Sequence, residues 1–266
     1  MSKFHATDLQ DEYRAVSVDL AGMTDARVSL GRFGSGAPTK ALLAFQLDHA
    51  RAREAVWSAV DEDKLTGEIE ALGLDVIRVE SMAQDRSKYL RRPDLGRRLS
   101  SASAERLAAM SQRSKGCDVV ITIADGLSSS AVDINAAVLI TGLVVLLRER
   151  GLTLGPLVIA RQARVALTDE VGEILGATIT IALIGERPGL SAADSLGAYI
   201  TYGPRVGTAD SRRNCVSNMR EGGLSMDQAA NTIARLVFGM VNTGVSGVGL
   251  KEALVGFASG PEGAVK

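Results

Sequence analysis

A carboxylate and a guanidinium stand side by side in Gly185-Glu186-Arg187-Pro188-Gly189, directly after the β-branched run Ala177 to Ile184. Pro188 fixes its own φ and pushes Arg187 toward extended geometry, so both charges are aimed rather than left to wander. The end of a predicted strand is where open α/β sheets receive ligands. The pattern therefore points to ligand binding, against the alternative of a plain turn salt bridge. Two other segments follow predicted strands in the same way. Asp125-Gly126-Leu127-Ser128-Ser129-Ser130 reads either as N–H and hydroxyl groups presented to a ligand or as a turn in which Asp125 and the serines cap a helix. Arg161-Gln162-Ala163-Arg164-Val165 reads as amides and two guanidiniums facing a crevice, or as a solvated charged loop. No GxGxxG follows the strand before Asp125, and no acidic residue stands at the expected place beyond it. That disfavours a nicotinamide dinucleotide.

Cys215 lies among basic and polar neighbours in Arg212 to Asn218, a predicted loop. Such surroundings would depress a thiol, but the only histidines are His5 and His49, which leaves little material for a Cys-His nucleophile. A small contact residue is the better reading. His49 falls on a predicted helix, as a structural or interface histidine, and two scattered histidines exclude the usual zinc triads. Arg86 to Arg98 packs six basic residues around a Pro-Asp turn. It is either a solvated face or a contact for an anion or a partner subunit.

The elements that must position these residues are legible from periodicity. Thr39 to Val60 has a helical pattern after the Gly/Pro-rich turn Gly31 to Pro38. From Cys117 onward, short apolar runs (Val119 to Ala124, Leu157 to Ala160, Ala177 to Ile184, Ala198 to Tyr202) alternate with helical stretches (Ser129 to Arg150, Thr168 to Leu175, Ser225 to Val241). Thr168 or Asp169 would cap the second helix. Such alternation predicts an α/β fold, a Rossmann-like parallel sheet with helices on both faces, preceded by an N-terminal helical segment. The expected division is an N-terminal tail over 1–26, a helical region over 27–116, the α/β domain over 117–250 and a C-terminal tail over 251–266.

The chain has 266 residues, 46% hydrophobic and 23% charged, with a net charge of -1. This composition suits a globular protein and supplies no field for nucleic acid or acidic lipid. Cys117 and Cys215 are 98 residues apart without CxxC spacing, so neither a disulfide framework nor a thiolate zinc site is indicated. The longest apolar run, Ala136 to Leu147, is shorter than the roughly 20 residues that span a bilayer and reads as a buried helix. The first twenty residues lack a secretory pattern, so a cytoplasmic location is expected.

Taken in order, these segments resemble the small (light) subunit of ethanolamine ammonia-lyase, an adenosylcobalamin-dependent enzyme. The matching pieces include Pro38-Thr39-Lys40-Ala41-Leu42-Leu43, Leu47-Asp48-His49-Ala50-Arg51, the Y-L-x-R-P-D-L-G-R-R-L run Tyr89 to Leu99, and Asp125 to Ser128. Gly172 to Ala177, Gly185 to Leu190, Asn214 to Asn218 and Glu221 to Gly223 continue the series, which extends from about Arg27 to about Leu250.

The resemblance implies a Rossmann-like subunit packed on a barrel-type large subunit, with adenosylcobalamin held between them. The family converts ethanolamine to acetaldehyde and ammonia by radical chemistry that belongs to the cofactor, and its substrate pocket lies in the large subunit. By position, Val165 would offer its backbone N–H to the cofactor, Glu186 would accept from its peripheral amides, and Cys215 would line the site as a small polarizable contact. Asp125, Arg187 and Asn218 are neighbours with a weaker claim. Asp-x-His-x-x-Gly is absent, Asp48 and His49 being adjacent, which is compatible with a cofactor that keeps its own lower base. Better-known members carry a longer helical N-terminal extension associated with entry into bacterial microcompartments; the stretch before Arg27 is shorter and not amphipathic. The competing reading is a freestanding small-molecule-binding regulatory α/β domain.

Overall fold

Residues 20–24, 26–28, 30–32, 34–111, 116–251 and 253 are described by a computed structural model. The expectations for the N-terminal tail before residue 20, His5 included, and for the C-terminal tail beyond residue 253 lie outside the described residues.

The chain divides into two units, 1–48 and 49–266. In the first, Arg27 pairs with Asp48 and its guanidinium lies 5.7 Å from the centre of the Phe45 ring. Helix α1 (Thr39–Trp57) begins there and runs into the second unit.

The second unit continues with α2 (Glu62–Glu70), β1 (Val76–Glu80), α3 (Arg86–Arg91), α4 (Ser101–Ser111), β2 (Val119–Ala124), α5 (Ser129–Glu149) and β3 (Leu157–Arg161). It closes with α6 (Leu167–Leu175), β4 (Ile179–Gly185), β5 (Leu196–Tyr202), β6 (Arg213–Met219) and α7 (Met226–Thr243). The strands form one six-stranded sheet in the order β1-β3-β2-β4-β5-β6. Strands β2 and β4 are buried along their whole length, as continuous apolar strands covered on both faces should be. On one face, Ile121, Ile123, Ile181 and Leu183 meet Leu139 and Leu143 of α5, Ile233 and Val237 of α7 and Ile69 of α2. On the other, Val120, Ala124 and Val158 meet Leu107 of α4 and Leu167 and Val171 of α6.

The α/β arrangement with helices on both faces is as expected, with instructive differences. Strands β1, β3, β2 and β4 run parallel, but β5 is antiparallel to β4 and β6 to β5. The reason is the connection. Only residues 186–195 separate β4 from β5, with no helix among them, whereas a parallel return needs a crossover of a dozen or more residues. The Gly-Glu-Arg-Pro-Gly segment is thus the first half of a hairpin loop. Two strands also lie outside the sequence-based set. Strand β1 falls within 27–116 yet joins the common sheet beside β3, burying Ile77 and Val79. Strand β6 occupies the segment read as a loop around Cys215; it is polar because it is an edge strand with only one face covered. The basic stretch from Arg86 is not loop throughout, since Asp85 caps α3 by accepting from the Lys88 N–H at 2.8 Å.

Helix α5 extends beyond its apolar run to 21 residues and is long and apolar enough, by length and composition, to cross a membrane. Half of it is buried in the core as predicted, through Ala136, Leu139, Leu143 and Leu147, while Ile134, Val138 and Val145 are exposed.

Candidate functional site

Ala182 of β4, Tyr199 of β5 and Cys215 of β6 stand in one row across three adjacent strands. Tyr199 packs with the cluster formed on the α6 face. Toward the sheet edge the cover stops, and Cys215 is exposed. A cavity of about 690 Å³ opens there, with Tyr199 and Cys215 among its walls, Arg164, Val165 and Ala166 at the start of α6, Arg97 and Arg98 beside them, and Val206 to Asp210 opposite. Its size falls within the roughly 300–1,000 Å³ of small-molecule and cofactor sites.

Val165 sits in a loop tied to three distant segments. Asp125 accepts from the Gln162 N–H at 2.9 Å and the Ala163 N–H at 3.0 Å. The Tyr89 hydroxyl donates to the Ala163 carbonyl at 3.1 Å, and the Arg164 N–H to the Gly96 carbonyl at 2.8 Å. Gln162 takes a φ of 53° to make the turn, a strained value for a residue with a side chain. The Arg86 guanidinium closes the arrangement, 3.3 Å from Asp125, and stacks on Tyr89 at 4.8 Å opposite Arg164 at 4.7 Å. Within this framework the Val165 and Ala166 N–H groups have no hydrogen-bond partner among the described residues. The start of α6 lacks a side-chain cap, and its Leu167 and Thr168 amides turn back to the Arg164 and Val165 carbonyls at 2.9 and 3.0 Å.

Of the expected caps in this turn, a serine is borne out and Asp125 is corrected. Asp125 does not cap α5; it is buried with its carboxylate on the Gln162 and Ala163 amides, and Ser128 is the cap, accepting from the Ala131 N–H at 3.1 Å. Burial pushes the Asp125 carboxyl up, opposed by Arg86 and by the amides it receives.

Glu186 stands beside the cavity at the end of β4. The Ser195 hydroxyl donates to its Oε2 at 2.5 Å and the Asn218 N–H to the same oxygen at 3.3 Å. Asn218 reaches that position through a bulge in β6, with a φ of 58°. The other oxygen, Oε1, accepts no hydrogen bond among the described residues. Gly197 makes room for it, because a Cβ there would lie 2.8 Å from Oε1. Gly197→Ala is therefore expected to displace the carboxylate while leaving Tm nearly unchanged, since a flexible side-chain end can yield. A large fall in Tm would show that the strand rather than Glu186 needs the glycine. Arg187, by contrast, is exposed and forms no ion pair among the described residues.

Cys215 and Tyr199 feel Glu186. Partial burial of the Cys215 thiol pushes it up, a hydrogen bond with Tyr199 pulls it down, and the Glu186 charge pushes it up again. Tyr199 is raised to about 12 by burial, with Cys215 and Glu186 adding to the effect. The basic neighbourhood expected to depress the thiol does not do so, because Arg213 is engaged elsewhere. A thiol raised in this way is a poor nucleophile at neutral pH, which fits a contact role. Cys215→Ala should change stability by no more than about 0.5 kcal/mol, as read by thermal unfolding; a larger loss would mean that the sulfur does more than fill space.

Arg213 escaped the sequence reading as a structural residue. Both its terminal nitrogens donate to Asp169, at 2.6 and 2.7 Å, and it also donates to Thr201 Oγ1 and the Thr208 carbonyl. Burial works against its charge, but the hydrogen bonds it donates to Asp169, with the Asp169 and Asp210 charges, outweigh it and keep the guanidinium protonated. Asp169 is accordingly not a helix cap. Nor is Thr168, whose hydroxyl donates to the Val165 carbonyl at 2.8 Å. No group of three or more His, Cys, Asp or Glu suited to a metal ion occurs among the described residues.

The sequence model of the ethanolamine ammonia-lyase light chain family matches residues 15–251. The ethanolamine ammonia-lyase small subunit of Rhodopseudomonas palustris (strain BisA53) is 52% identical over 234 residues, covering 88% of this chain and 89% of its own length. That of Bradyrhizobium diazoefficiens is 51% identical over 240 residues, 90% and 91% of the two chains. The small subunit of Pseudomonas putida (strain W619) is 45% identical over 234 residues, 88% and 86%.

Proposed function

Because the chain belongs to the ethanolamine ammonia-lyase light chain family, we propose that it forms half of an adenosylcobalamin site completed by a large subunit, in an enzyme that converts ethanolamine to acetaldehyde and ammonia. One observation carries this reading: Val165 and Cys215 line a single cavity, and Glu186 is held by the Asn218 N–H of β6, the strand that carries Cys215.

The residues fit such a cofactor. The Val165 N–H is an unused donor on a braced loop, and Glu186 Oε1 is an unused acceptor whose partner oxygen is already fixed by Ser195 and Asn218. A corrin edge carries both carbonyl and N–H groups on its peripheral amides, which call for such a pair. Cys215 and Tyr199 supply an apolar and polarizable wall. When bound, the cofactor supplies a cobalt–carbon bond that breaks homolytically. The contribution of this chain is to bind, orient and shield. In this scheme the substrate pocket belongs to the large subunit, so the small subunit alone has no turnover. Operation in the cytoplasm is part of the same proposal, with a microcompartment as the other location known in the family.

Co-expression with a large subunit tests the proposal. The two chains should co-purify, bind adenosylcobalamin with a change in its visible spectrum, and release ammonia from ethanolamine only together. Turnover by the small subunit alone, or a complex that ignores cobalamin, would overturn it.

A further inference from the structure

The cavity beside Val165 carries more positive charge than its own carboxylates balance. Of its arginines, Arg98 is held by Glu170 at 3.0 Å, and Arg213 by Asp169 and Asp210. Arg97 and Arg164 have no ion pair among the described residues. Arg97 is exposed at the mouth. Arg164 is set deeper, with its guanidinium against Tyr89 and its Nε buried without a hydrogen-bond partner. A buried donor left unmatched is unfavourable, so the Arg164 side chain is not fully satisfied by its own chain.

The turn that carries Arg97 is in contact with the loop that carries Arg164, and both arginines line the cavity. Gly96 accepts from the Arg164 N–H at 2.8 Å, and a Cβ on Gly96 would lie 2.8 Å from the Tyr89 ring and 3.0 Å from Arg164 Cγ. Only the missing side chain lets the turn carrying Arg97 close onto the loop carrying Arg164. The unpartnered amides of Val165 and Ala166 lie next to Arg164 in the same wall. Two guanidiniums without ion pairs, with the Ala166 N–H in the same wall and the Val165 N–H left for the corrin amides, form a donor set for a tetrahedral oxyanion.

We propose that this corner of the cavity is an oxyanion subsite, with Arg97 and Arg164 as its two cations, that takes the phosphodiester of the cofactor's nucleotide loop. The inference rests on the cobalamin reading above and deepens it. The peripheral amides of cobalamin are neutral, and the phosphodiester is the one anionic group outside the corrin ring. The site divides accordingly: Glu186 faces the amides and the arginine pair faces the phosphate.

Three ligands separate this idea from its parent. Adenosylcobalamin and adenosylcobinamide phosphate carry the phosphate; adenosylcobinamide does not. In the assembled complex, the Kd for each is measured by absorbance titration for the parent chain, for R97M and for R97M/R164M. The double variant is expected to lose about tenfold or more in affinity for the two phosphate-bearing ligands and to bind adenosylcobinamide as the parent does. R97M, altered only at an exposed residue, should show a smaller loss with the same selectivity, and it keeps the test valid if the double variant misfolds. Equal losses for all three ligands, or none, would overturn the subsite while leaving the cobalamin reading intact. A parent complex that binds none of the three would overturn both.

Discussion

Asp169→Ala should lower the stability of the 49–266 unit by about 3–5 kcal/mol, because it strands the buried Arg213 guanidinium without its bidentate partner. For a unit of this size, each kcal/mol corresponds to roughly 2–4 °C in Tm. The loss should appear in thermal and urea unfolding alike. Arg213 also opens β6 and anchors the Thr208 carbonyl, so the far wall of the cavity should loosen with it. The double variant Asp169→Ala/Arg213→Met should recover part of the loss, since it removes the stranded charge rather than one partner of it. If the single variant melts with the parent, the pair is not the anchor described here.

Glu186→Ala is the second large effect. In the assembled complex it should raise the Kd for adenosylcobalamin by about 10- to 150-fold, the equivalent of one charge-assisted hydrogen bond of about 1.5–3 kcal/mol. Stability should change little, because the carboxylate is only part-buried and its protein partners, Ser195 and the Asn218 N–H, lie at the open end of the sheet. Glu186→Gln keeps an acceptor oxygen and should fall between parent and alanine variant. Gly197→Ala should resemble it in affinity, by moving the carboxylate rather than removing it. Unchanged affinity in Glu186→Ala would withdraw this residue from the site.

Legibility from sequence followed the range of the interactions. Helices α1, α5, α6 and α7 and strands β2 to β4 were visible because their apolar periodicity is local. Strand direction was not, since the antiparallel turn of β5 depends on the length of the 186–195 connection rather than on the strand's own residues. Cys215 stands out from its local pattern and gains a cofactor role only through the resemblance, while its setting is not legible, because β6 buries only one face and looks like a loop. Asp169 and Arg213 sit 44 residues apart, and each has a plausible local explanation, as helix cap and as solvated base. Nothing in either neighbourhood signals that they meet. The basic stretch around Tyr89 was ambiguous for the same reason: whether its arginines are solvated or enclosed depends on Asp125 and Tyr89 being folded against them.

The bracing of residues 162–166 by Tyr89, Gly96 and Asp125 has a thermodynamic corollary. Immobilising a floppy segment upon capture subtracts from affinity; here that entropy loss falls on the folding of the polypeptide instead. The tetrapyrrole would meet a surface already cast, and the intrinsic strength of each contact would reach the dissociation constant undiminished.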